Sequence, residues 1–209
     1  MDSPSSNLEV VGSKPTGPTI LIRNIMIDIN FRNISDEEFD WLVGIFLADG
    51  SKCRERPRTY RTYFFLNAIK DTKILEKLEN ILKKLKINYH KQIKKRNTLF
   101  VKISCKKIFD TMPDKKNSLY IPKNKDAFIA GFIDGDGFID FKKKSFGFSQ
   151  TIVKWIGPYI SNYLKCKGIK PWTSKIYRNC FYYVASFNKV NKNTNIINFM
   201  ACRGKSRGF

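Results

Sequence analysis

The sequence predicts an α+β fold of two pseudo-symmetric halves, each in the order αββαββα, packed through a pair of similar helices. Three observations predict it. One apolar pattern ending in Asp-Gly occurs twice, a similar order of helices and strands follows each copy, and helical apolar stripes alternate with short period-two runs.

The first copy reads Leu42-Val43-Gly44-Ile45-Phe46-Leu47-Ala48-Asp49-Gly50, and the second Ile129-Ala130-Gly131-Phe132-Ile133-Asp134-Gly135-Asp136-Gly137. Gly44 and Gly131 fall mid-helix, where glycine costs roughly 1 kcal/mol relative to alanine. Bare backbone at those positions lets two helices approach closely, as in membrane helix pairs. Gly50 and Gly137 are expected to stop the helices in the left-handed cap conformation. Asp49 and Asp136 then occupy the last turns. Side-by-side packing would bring both carboxylates to one end, where the macrodipoles are negative. Two acids in that position call for a cation.

The other elements follow in order. Ser35 and Glu38 have capping-box spacing ahead of the stripe Phe39, Leu42, Val43 and Phe46. Strands over 51–56 and 59–66 turn at Pro57-Arg58, and basic residues at 52, 54 and 56 predict one cationic strand face. An amphipathic helix spans 71–85, with Ile74, Leu75, Leu78, Ile81, Leu82 and Leu85 at helical spacing. A hairpin over 90–95 and 99–104 turns at Arg96-Asn97, and a helix over 106–112 closes the first half. Asp126 is the expected N-cap of the second motif helix. Hairpin 139–144/145–150, a helix over 153–165 started or bent by Gly157-Pro158, hairpin 173–178/181–187 and a helix over 194–200 complete the second half. The expected organisation is a leader at 1–30, halves at 31–112 and 125–209, and a linker at 113–124. Proline and glycine break any pattern up to residue 18, so that part of the leader reads as flexible.

Composition narrows the function. Lys and Arg number 39 against 18 Asp and Glu, a net charge of +21, which points to a polyanionic partner. A hydrophobic content of 42% with 14% aromatics supports a real core rather than a disordered basic chain. No apolar run reaches the about 18 residues of a membrane span, and no secretory pattern opens the chain, so nucleic acid is preferred to a membrane. Five cysteines without a Cys-x-x-Cys pair argue against a disulfide framework or a zinc site and fit an intracellular protein. His90 is the single histidine. Chemistry must rest on carboxylates and lysines.

The paired motif resembles that of the LAGLIDADG homing endonucleases in their single-chain, two-motif form, over about residue 34 to the C-terminus. The resemblance implies a saddle of two antiparallel sheets on double-stranded DNA, a monomer, and an intracellular location with the DNA. It also implies double-strand cleavage of a long, partly symmetric site, short 3′ overhangs and an intron-encoded origin. Asp49 and Asp136 are the implied metal-binding acids, with Ala48, Gly50, Gly135 and Gly137 beside them. Mg²⁺ is the expected cofactor; Mn²⁺ or Ca²⁺ could replace it for binding, Ca²⁺ without cleavage. Asp134 stands where the first copy has Leu47 and is expected to serve the helix interface or a cap.

Superposing the halves sets Asn67 opposite Gln150 and Lys106 opposite Lys189 at one common offset. By resemblance the amides position water or metal, and the lysines counter phosphate charge. A capping role is the alternative for the amides, and coincidence for the lysines. The expected DNA contacts are Lys52, Arg54, Arg56, Arg58, Arg61, Lys91, Gln92, Lys94, Arg96, Lys142, Lys144, Lys175, Tyr177 and Arg178, most to phosphates and a minority to base edges. An RNA-splicing maturase and a non-catalytic DNA-binding relic share the fold and stand as alternatives.

Overall fold

A computed structural model describes residues 19–21, 29–116, 118–150, 155–177 and 180–201. Strand β1 (Thr19–Leu21) is followed by a 3₁₀ turn, Ile29–Asn33, and then by α1 (Asp36–Asp49), β2 (Gly50–Arg56), β3 (Thr59–Asn67), α2 (Thr72–Lys84), β4 (Tyr89–Ile93), β5 (Thr98–Ile103) and α3 (Lys106–Thr111). Strand β6 (Ser118–Tyr120) leads to α4 (Lys125–Asp136), β7 (Gly137–Asp140), β8 (Ser145–Gln150), α5 (Ile156–Cys166), β9 (Trp172–Tyr177), β10 (Cys180–Ser186), α6 (Phe187–Asn193) and α7 (Ile196–Phe199). The two four-stranded antiparallel sheets have matching orders, β2-β3-β5-β4 and β7-β8-β10-β9. This is the α+β arrangement expected from the repeated order of elements.

Three local departures have physical reasons. β1 pairs in parallel with β6, so the segment read as a plain linker carries a strand that ties an early segment to the entry of α4. The N-cap of α4 is Asn124, whose side chain accepts from Ala127 N at 3.0 Å. Asp126 lies inside the first turn and instead accepts from the Tyr163 hydroxyl at 2.6 Å and from Asn195 N at 3.0 Å. Gly50 and Gly137 end their helices in extended backbone, φ −94° and −96°, not in the left-handed cap. Their glycine requirement is steric: a Cβ on Gly50 would lie 2.5 Å from Phe46 O, and one on Gly137 2.6 Å from Ile133 O. The chain therefore turns at once from helix into strand. The capping box is present, with Glu38 N and the Ser35 hydroxyl 3.2 Å apart.

The motif helices are the spine. A Cβ placed on Gly44 would fall 2.2 Å from Phe128 O, and one on Gly131 2.1 Å from Trp41 O, so α1 and α4 touch backbone to backbone. Gly135 faces Ala48 and Asp49 further along, so the helices run parallel and finish together. Around them Trp41, Phe46, Phe128, Phe132, Phe64 and Phe148 belong to one continuous apolar core shared by both halves. Burial on this scale is the main stabilising term.

Candidate active site and nucleic-acid interface

The paired ends of α1 and α4 bring Asp49 and Asp136 to one place. A Cβ on Gly135 would fall 2.4 Å from Ala48 Cβ and 2.9 Å from Asp49 Oδ2, so glycine there lets the two helix ends close on each other beside the carboxylate. No group of three or more His, Cys, Asp or Glu side chains able to hold a metal occurs among the described residues. A cation here would rest on two carboxylates, nearby carbonyls, water and phosphate, the oxygen-only set that suits Mg²⁺. Ala48, Gly50, Gly135 and Gly137 could contribute only main-chain oxygen. The residues present fit a hard divalent cation.

A third charged group reaches this place, and the repeat does not reveal it. Lys115, from the segment between the halves, donates its ammonium to Ala48 O at 3.0 Å, with the Phe46 ring 5.8 Å away. Burial lowers its pKa, opposed by attraction to Asp136 and to Asp49. Nothing in the sequence distinguishes it from neighbouring Lys116.

The second-tier candidates lie at the ends of β3 and β8 and on α3 and α6. Lys106 opens α3 and pairs with Asp110, with the Tyr60 ring 5.3 Å from its ammonium. Lys189 is exposed on α6. Asn67 ends β3, and its Oδ1 accepts from Ile69 N and Lys70 N at 3.0 Å, a side-chain-capped turn. Gln150 ends β8 opposite Phe181.

Asp134 has an interface role. It is 1% exposed and accepts from Trp41 Nε1 and from Ala201 N, both at 2.8 Å, joining α1 and α4 to the chain after α7. Lys77 of α2 completes the cluster with its ammonium 4.4 Å from the Trp41 ring and bonded to Phe199 O. Asp134→Asn is expected to lower stability by about 2 kcal/mol, the scale of charge-assisted bonds, while leaving DNA binding intact; urea unfolding checks it. Burial lowers the Lys77 pKa to about 8 against the pull of Asp134 and Glu38. Below pH 8 the folded state therefore carries an unfavourable buried charge. As pH rises from 8 toward 10.5, the folded state releases that proton while the unfolded chain keeps it, so stability should rise. Relative to Lys77→Met, the wild type should gain stability across that window in parallel urea titrations. Asp40, fully buried in α1, accepts from the Tyr120 hydroxyl and from Asn124 N, a second polar tie that the sequence reading missed.

Strand register sorts the basic residues onto two faces. Opposed residues share a face, and Thr62, Phe64 and Leu66 of β3 are buried against the helices. Lys52 pairs with Thr62 and Arg54 with Tyr60, so both point away from the open sheet surface. Lys52 donates to Phe109 O and Met112 O, and Arg54 to Pro57 O. Lys91 pairs with Val101 and bonds Glu79 of α2 at 2.7 Å. The cationic face expected at 52, 54 and 56 is thus split. The register shift after Arg54 sets Arg56 opposite Thr59, on the side of Arg61 and Tyr63.

The open surface of the first sheet carries Arg61, and beside it Gln92 and Lys94 line a cleft of about 360 Å³ together with Tyr63, Phe65, His90, Phe100 and Lys102, five residues outside the expected set. Phe65 and Phe100 meet edge to face at 4.9 Å, and Tyr63 stacks beside Phe65. Arg58 lies in the β2–β3 turn and Arg96 in the β4–β5 turn, the latter at φ 60°. In the second sheet, Phe138 stacks on Tyr182 over Gly147, and Trp172 is 61% exposed. Lys142 and Lys144 lie in the β7–β8 turn. Lys175 pairs with Phe181 and Tyr177 with Cys180, and Arg178 lies outside the described residues. Solvent-reachable aromatic rings thus lie on both sheets, Tyr63, Phe65 and Phe100 on the first and Tyr182 and Trp172 on the second, with basic residues around them. Alternation in β3, β5 and β10 already carried that signal.

No protein-family model matches the sequence, and no curated protein matches it. Among solved structures, the homing endonuclease I-DmoI in complex with DNA and Mn is similar over 82% of this chain and 98% of its own, at 15% identity and a TM-score of 0.55. The N-terminal LAGLIDADG domain of DUF199/WhiA is similar over 90% of this chain and 96% of its own, at 14% identity and a TM-score of 0.52. Full-length DUF199/WhiA from Thermatoga maritima is similar over 88% of this chain and 59% of its own, at 13% identity and a TM-score of 0.53. No helix among the described residues is long and apolar enough to cross a membrane. The shared arrangement is the architecture derived above from the repeat, and the chain has the two-motif LAGLIDADG fold.

Proposed function

We propose that this chain is a monomeric, sequence-specific DNA endonuclease that cuts both strands of a long, partly symmetric duplex in a Mg²⁺-dependent reaction. The observation that carries the reading is the meeting of Asp49 and Asp136 at the abutting ends of two glycine-packed helices. A relic that only bound DNA would have no need of two carboxylates at the negative ends of two helices.

The two sheets would lie along the duplex, with the acids at the centre. Arg56, Arg61, Lys94, Lys102 and the turn residues Arg58, Arg96, Lys142 and Lys144 would neutralise phosphates and give a steep salt dependence. The aromatic surfaces would press on base edges, where ring contacts with thymine methyl groups discriminate among bases. Asp49 and Asp136 would hold the cation, with Gly135 letting the two helix ends close on each other beside them. A bound divalent ion supplies Lewis-acid stabilisation of the scissile phosphate and a more acidic attacking water. Lys52, Arg54 and Lys91 would brace the sheet against its helices.

The reading is tested by incubating purified protein with a randomised duplex library in Mg²⁺ and in EDTA. Double-strand cuts at one long motif in Mg²⁺ alone are expected; salt-sensitive binding without cutting in any divalent metal would refute cleavage. Trp172→Ala is expected to weaken binding of the recovered duplex about tenfold, within the range of an aromatic–base contact, measured by fluorescence anisotropy.

A further inference from the structure

Two carboxylates at the negative ends of two helices need compensation even when no DNA is bound. The chain contains a side chain that provides it. The segment after α3 is fixed by Lys52, whose ammonium holds Phe109 O and Met112 O, and by burial of Met112. Asp114 then accepts from Lys116 N at 2.8 Å, closing a short turn. Lys115 leaves that turn toward the helix ends, where its ammonium takes the Ala48 carbonyl at 3.0 Å. That carbonyl precedes Asp49, and Ala48 also faces Gly135 of the other helix. Burial lowers the Lys115 pKa, while the charges of Asp136 and Asp49 work to keep the ammonium protonated.

We propose that Lys115 is a resident counter-ion of the Asp49–Asp136 pair and competes with a divalent cation for the ends of α1 and α4. In the DNA-free protein the ammonium neutralises part of the acid charge and occupies an oxygen that a metal could use. Affinity for a divalent cation is therefore low until phosphates draw the lysine away, which couples metal entry to DNA binding. The lysine comes from the connection between halves, and its ammonium lies within reach of the charges of both acids. The inference rests on reading the acid pair as a divalent-cation site.

The test is Mn²⁺ titration of the DNA-free protein by calorimetry at low ionic strength. Lys115→Met is expected to bind Mn²⁺ at least about tenfold more tightly than wild type, because a positive charge next to the site is removed. Lys115→Arg, which keeps the charge, should stay within about threefold of wild type on the same argument. Lys115→Gln keeps a donor for the Ala48 carbonyl and should show a smaller gain, which keeps the test decisive if the methionine variant folds poorly. Adding Asp49→Asn and Asp136→Asn should erase the gain. Equal or weaker Mn²⁺ binding by the methionine and glutamine variants would overturn the proposal, as would a gain that survives loss of both acids. Because the readout contains no DNA, a gain without detectable cleavage would sink only the endonuclease reading. Established cleavage without the gain would sink only the counter-ion.

Discussion

Asp49→Asn and Asp136→Asn are each expected to reduce double-strand cleavage on the order of 10³-fold, the scale of losing one preorganised charge-stabilising group. Binding of the target should change little. The asparagine is nearly isosteric, so the packing of Gly135 against Ala48 and Asp49 is retained while the negative charge is lost. Removing an acid from a protein of charge +21 leaves the attraction to phosphate undiminished. Cleavage assays on a plasmid target, with anisotropy on the matching duplex, separate the two effects. If both variants still linearise the plasmid at the wild-type rate, the assignment of the acids is wrong.

Gly44→Val and Gly131→Val should be the most damaging single changes to the fold. At each position the first added atom would lie within about 2 Å of a partner carbonyl, 2.2 Å from Phe128 O and 2.1 Å from Trp41 O. Backbone cannot yield as a flexible side chain would. The helices must separate, opening the core that both halves share, so a loss beyond the usual 1–3 kcal/mol of overpacking is expected. Gly168 is the useful control. It has φ +73° with nothing within 4 Å of a built Cβ, so Gly168→Ala should cost only about 1 kcal/mol of backbone strain. Urea midpoints for the variants should fall in that order. Equal midpoints would remove the close helix contact from the account.

The sequence made the spine legible because its constraints are local. A mid-helix glycine, an Asp-Gly exit and an apolar stripe each leave a mark within a few residues, and the repeat doubled the signal. Most of the strand and helix order followed from the same periodicities, but β1, β6 and α6 did not. What escaped depends on contacts between distant segments. Lys115 is one lysine among many until the chain after α3 is folded against the helix ends. Asp40 and Asp134 look like polar interruptions of apolar helices until their partners Tyr120, Asn124, Trp41 and Ala201 arrive from elsewhere. The basic strand residues misled for a sharper reason. Alternation at 52, 54 and 56 was real, but alternation does not say which face packs on helices. The buried Thr62 opposite Lys52, and the register shift before Arg56, decide that. The exit glycines were read correctly as helix stops, with the wrong cause: close approach, not positive φ, excludes a side chain.

The most direct test is to map the cut ends on both strands of a target recovered from the randomised library, using wild type, Asp49→Asn and Asp136→Asn in parallel. The wild type is expected to leave one fixed stagger at the centre of the site, with short 3′ overhangs in Mg²⁺ and no cut in EDTA. Both variants should leave the duplex intact. Scattered ends, or the same central cut from both asparagine variants, would contradict an active site built on the paired helix ends.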